Sequence, residues 1–130
     1  MARVTGCPCG SGNYVDKCCE RYILIGEIPP TAETLMRSRY TAYTLGREDY
    51  LLATWHTSTR PVELNLANEI ATQWLGLKVK QHSYDSSDPT HATVEFIARY
   101  KVNGRAHRLH EVSQFVYEDG RWFYVDGAVK

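Results

Sequence analysis

Apolar positions follow two different periods along this chain, and the change falls at Gly76. Pro29-Pro30 separates a short N-terminal segment from the rest. Thr31 then reads as an N-cap, with Glu33 in the first turn and a break at Gly46. Between them Leu35, Met36, Tyr40 and Tyr43 recur at helical spacing, which predicts a helix of three to four turns. A second helix is expected over Glu48 to Trp55, a loop over His56 to Pro61, and a short third helix through Leu64 to Trp74. Beyond Gly76 the period becomes two. Strands are predicted over Leu77 to Tyr84, Thr93 to Val102, Arg105 to Glu118 and Arg121 to Val125. The second of these alternates, with Val94, Phe96, Ala98, Tyr100 and Val102 on one face. Asn103-Gly104 carries the signature of a type I′ hairpin, and Asp119-Gly120 marks a second hairpin turn. Helices followed by a four-stranded antiparallel meander define an α+β fold with the helices on one face of a curved sheet.

Composition narrows the class further. The chain has 130 residues, 43% hydrophobic and 23% charged, which suits one globular domain. Fifteen Lys and Arg balance fifteen Asp and Glu, so no global field favours nucleic acid or membrane. No apolar run approaches the roughly 18 residues a membrane span needs, and the N-terminus lacks a stretch of signal-peptide length. A cytoplasmic protein is therefore expected, in a compartment that keeps thiols reduced.

All four cysteines lie in CPCGSGNYVDKCCE, residues 7 to 20. Two disulfides there would close only short loops and stabilise little. Cys7, Cys9, Cys18 and Cys19 instead supply four thiolates, a full set for a tetrahedral metal ion with no open position, which points to a structural site. Gly10-Ser11-Gly12 lies where the chain must turn around the ion, and its amides are placed to donate to the sulfurs. Arg3, Lys17 and Arg21 are near enough in sequence to offset the net charge of four thiolates. The Gly-Ser-Gly has neither the Lys-Ser/Thr of a Walker loop nor the spacing of a dinucleotide loop, which excludes a phosphate cradle.

C-P-C-G-S-G-x-x-Y-x-x-x-C-C closely resembles the SEC-C motif, the metal-binding segment named for the C-terminus of the SecA translocation ATPase. The resemblance implies zinc, with iron as the alternative. By analogy with SecA it also implies a protein partner linked to secretion or to the ribosome. Two departures stand out. Cys19 replaces the histidine usual in SecA, and Glu20 stands where a glycine often follows. The strings LMRSRYTAY, TWHTSTRP and DGRWFYVDG are similar to the YchJ-like family, whose members join such a motif to a cystatin-like cone of the nuclear transport factor two type. The expected division is a SEC-C segment over residues 1–28 and a cone over 29–130.

Cone domains enclose a pocket between helix and sheet, so Arg39, Trp55, His56, Arg60, Glu111, Trp122 and Asp126 are candidates to line it. His56 beside Glu111 would suit a general base held by a carboxylate, while Arg39 and Arg60 suit a small anionic ligand. Each has a plainer reading. Arg39 fits an ion-paired helix face, His56 a cap, and the tryptophans core. Glu111 shares a strand face with Leu109, Ser113 and Phe115, and a helix arginine is its expected buried partner. His107 and His110 are three apart on a strand and face opposite ways, so they cannot chelate one ion. His82 and His91 have no motif. Lys78, Lys80, Arg99 and Lys101 would form a basic outer patch, more simply a solvated face, so nucleic acid is not expected. A zinc-binding, non-enzymatic module for a protein or small ligand is the leading expectation, and a small enzyme using the cone pocket is the alternative.

Overall fold

The computed structural model describes residues 6–64, 66 and 72–130. A 3-10 turn at Val15–Lys17 and helix α1, Glu20–Ile23, follow the first cysteine pair. Then come α2, Ala32–Leu45, and α3, Glu48–Ala53. The strands are β1, Thr72–Asp85, β2, Asp88–Val102, β3, Arg105–Glu118, and β4, Arg121–Val129. They pair antiparallel in the order β1-β2-β3-β4.

Helix α2 starts and stops where its caps place it. The Thr31 hydroxyl accepts from the Thr34 amide at 3.0 Å, and Gly46 ends the helix in the left-handed region at φ 70°. One side of α2 meets the sheet through Leu35, Met36 and Tyr40. Its other sides are covered too, so Ser38, Arg39 and Thr41 are buried. Ser38 donates to the Leu35 carbonyl at 2.8 Å and lies 2.7 Å from the Tyr50 hydroxyl of α3. A buried polar group needs such partners.

Both hairpin turns are of the primed kind, with Asn103-Gly104 at φ 50° and 77° and Asp119-Gly120 at 53° and 82°. The inward face of β2 holds Ala92, Val94, Phe96 and Ala98, and Phe115 joins them from β3. Register shifts interrupt β1 between Trp74 and Gly76 and between Val79 and Gln81, and interrupt the β3–β4 ladder at Gln114 and Phe115. Such bulges bend a sheet and re-aim its side chains.

Several boundaries differ from the sequence expectation. The third helix was expected to run through Trp74, but Thr72 to Trp74 already belong to β1; residues 65 and 67–71 of that stretch lie outside the described residues. Gly76 does not open the strand. It sits at a bulge inside it, as strand glycines often do. Trp74 is held there by Tyr100 across the ladder at 5.3 Å and by Tyr40 at 5.6 Å. Helix α3 stops at Ala53, because Tyr124 takes over the next backbone groups: its amide donates to the Thr54 carbonyl and its carbonyl accepts from the His56 amide. Strand β4 passes Val125 by way of its bulge and ends at Val129.

Candidate metal centre and cone cavity

The four sulfurs meet. One ligand atom from each of Cys7, Cys9, Cys18 and Cys19 lies within 4.8 Å of all the others. Cys9 and Cys18 are 3.6 Å apart, and Cys18 and Cys19 3.9 Å. A tetrahedral ion with metal–sulfur bonds of about 2.3 Å requires sulfur edges of about 3.8 Å. The residues therefore fit a soft divalent cation, which would close the site and fix the loop. The thiols alone are mutually frustrated. Contacts from Cys19 and Cys7 hold Cys9 far below the ordinary thiol range, while those with Cys7 and Cys9 push Cys19 far above it. Burial pushes Cys18 up to about 11. A cation bound among them would stabilise all four as thiolates at once.

Local backbone chemistry builds the loop. Gly10 and Gly12 take φ 77° and 88°, and the Cys7 amide donates to the Asn13 carbonyl at 2.9 Å. The Ser11 hydroxyl lies 3.1 Å from Cys18 Sγ, and the Ser11 amide hydrogen-bonds Cys9. A Cβ at Gly10 would come within 2.9 Å of the Leu77 carbonyl, so the knuckle lies tight against β1. Arg37 reaches from α2 to donate to the Cys9 carbonyl at 2.8 Å, and Thr41 Oγ1 lies 3.7 Å from Cys7 Sγ. Neither Arg37 nor Thr41 carried a local signal, since they stand 28 and 34 positions away from their partners. Of the cations expected beside the thiolates, Arg21 pairs with Glu27 at 3.0 Å, and Arg3 lies outside the described residues. Cys7, Cys9, Val15, Cys19 and Ile23 share one buried cluster with Leu35, Leu51 and Phe96.

The cone holds a cavity of about 290 Å³ between α2 and the sheet. Arg39, Tyr40 and Tyr43 line it from α2, and Trp74, Phe96, Glu111 and Tyr124 from the sheet. Arg39 is 3% exposed. Its Nη1 donates to the Leu51 carbonyl and to Thr54 Oγ1, both at 2.7 Å. Its guanidinium lies 4.5 Å from the Tyr124 ring and 5.0 Å from that of Trp55. Burial lowers its pKa to about 10, so it stays charged at neutral pH. Tyr124 is pushed up to about 12 by burial and by the Glu111 carboxylate.

The expected Arg–Glu pair is absent among the described residues. Glu111 instead accepts from the Ser113 hydroxyl at 3.0 Å and lies over Gly127, where a Cβ would overlap its carboxylate. Arg39 finds its acceptors on α3 before it can reach β3. Nor does His56 meet Glu111. Its ring lies 2.9 Å from Glu118 and 2.7 Å from Ser58, outside the cavity, because its backbone is tied to β4 at Tyr124. Arg60 lines a separate shallow groove with Leu52 and Pro61. Trp122 packs against Tyr84 and Tyr117, and Asp126 is exposed opposite Gln114. His110 pairs outward with Glu95 while His107 stacks on Tyr100, so the two histidines diverge.

A metal knuckle of SEC-C type docked on an α+β cone is the class that this geometry defines. The family described as YchJ, middle NTF2-like domain, matches residues 31–127. A UPF0225 protein of Cupriavidus metallidurans is 55% identical over 95% of this chain and 89% of its own length. One of Ralstonia nicotianae is 54% identical over 97% and 92%. The chain belongs to this YchJ-like, UPF0225 family. The solution structure of a SEC-C motif containing protein from Rhodopseudomonas palustris superposes with a TM-score of 0.84 at 34% identity, covering 100% of this chain and 99% of that one. The crystal structure of another, from Psychrobacter arcticus, gives 0.77 at 29% identity over 98% and 84%. No helix among the described residues is long and apolar enough to cross a membrane.

Proposed function

We propose that this chain is a zinc-binding, non-enzymatic binding module of the cytoplasm, in which the metal clamps the N-terminal segment onto the cone. The observation that carries the zinc reading is the convergence of four sulfurs within 4.8 Å, at edges suited to a tetrahedral ion. Four thiolates and no open position favour zinc over a harder cation and a structural role over catalysis. A binding role is favoured over acid/base chemistry because His56 and Glu111 occupy separate places. The protein partner is of the kind the SecA likeness implies, within secretion or ribosome-associated machinery. It would meet the exposed apolar residues Leu24, Ile25 and Ile28 that follow the knuckle, Ile25 being 70% exposed.

Elemental analysis of the purified full chain tests the metal. About one zinc per chain and four protected thiols are expected; protein without zinc or iron, and with freely reactive thiols, removes the reading. For the partner, Ile25→Glu should abolish co-purification of a secretion or ribosomal component while the metal content stays unchanged.

A further inference from the structure

Arg39 is a buried cation that the protein leaves half used. Among the described residues only Nη1 has hydrogen-bond partners, both of them neutral, and no carboxylate pairs with the guanidinium. A buried charge without a counter-charge is disfavoured, and guanidinium is built to hold a carboxylate through two parallel N–H groups. The rings of Tyr124 and Trp55, 4.5 Å and 5.0 Å from the guanidinium carbon and 4.9 Å from each other, crowd it from one side. That side chain lines a cavity of about 290 Å³ whose other walls are mostly aromatic and apolar.

We propose that the cone cavity binds a small monocarboxylate with an apolar or aromatic body, its carboxylate on Arg39 and its body among Tyr40, Trp74 and Phe96. Glu111 sets the specificity. It is held on the cavity wall by Ser113 and by the room Gly127 leaves. A second negative charge on the ligand meets this carboxylate and is repelled, so dicarboxylates and phosphate esters are selected against. The site rests on the binding-module reading proposed above, adds a small-molecule ligand to it, and is independent of the metal.

The test uses the full chain with its metal content measured, and follows Trp fluorescence and backbone amide shifts. The probes are phenylacetate, 3-phenylpropionate, the uncharged phenylacetamide and phenyl phosphate. The two acids should bind with dissociation constants of about millimolar or below. The amide should bind at least about tenfold more weakly, as loss of a charge-assisted pair predicts. Shifts should cluster on Trp74, Phe96 and Leu109. Arg39→Met should abolish acid binding. Because that change also strips the Leu51 carbonyl and Thr54 of their donor, Glu111→Gln supplies an independent arm that leaves α3 untouched. It should tighten acid binding and relax the discrimination against phenyl phosphate. Equal affinity for acid and amide, no acid binding by metal-loaded wild-type protein, or unchanged discrimination in Glu111→Gln each overturns the proposal. Protein lacking metal counts against the zinc reading alone, and metal-loaded protein that ignores the acids counts against this one alone.

Discussion

The knuckle and the cavity are built in opposite ways. Every candidate metal ligand comes from thirteen consecutive residues, and the loop between them closes on its own amides and on Ser11. The cavity draws Arg39 from α2, Trp74 from β1, Phe96 from β2, Glu111 from β3 and Tyr124 from β4. A site of the first kind has a fixed valence. Four thiols crowded together can hold an ion whatever surrounds them. A site of the second kind exists only if five elements take one register, and a single bulge can move a side chain out of it. Yet the two are mechanically joined, since the buried cluster runs from Cys9 and Cys19 through α2 into the sheet.

Breaking the knuckle should have the largest effect. Cys18→Ser with Cys19→Ser, or a strong chelator, is expected to release the metal and cost several kcal/mol of stability, because Cys9 and Cys19 lie in the cluster that also packs α2. Calorimetry with and without chelator checks this; an unchanged melting temperature would show the two regions to be energetically separate. Gly10→Ala should come next, at about 3 kcal/mol, from the left-handed backbone and the clash with Leu77. It separates docking from ligation: urea unfolding should shift while zinc content remains stoichiometric. Gly127→Ala addresses the cavity instead. Its Cβ forces Glu111 aside at a cost of about 1–3 kcal/mol, and the knuckle thiols should stay protected from alkylation. Thr31→Ala, which loses a helix cap, should cost only about 1 kcal/mol. Metal content should not change, and a thermal melt suffices to read it.

The same contrast explains which residues disclose themselves in the chain alone. Cys7, Cys9, Cys18 and Cys19 are legible because ligand identity and spacing are local facts. So are Thr31 and Gly46 at the ends of α2, and Asn103-Gly104 and Asp119-Gly120, where backbone conformation is decided within two or three residues. Val94, Phe96 and Ala98, which the alternation of β2 puts on one face, are likewise buried. Tertiary structure alone decided the rest. Strand β1 runs through Gly76 because a bulge absorbs it and Trp74 finds aromatic partners across the sheet. His56 turns to Glu118 rather than Glu111 because Tyr124 captures the backbone around it. Arg37 and Thr41 reach the knuckle, and Arg39 is set on the cavity wall, because one helix is covered on several sides at once. Short-range conformational preference writes the caps, turns and ligand loop into the sequence. Strand register and helix docking are set by contacts dozens of residues apart, and those leave no mark on the spacing of any one segment.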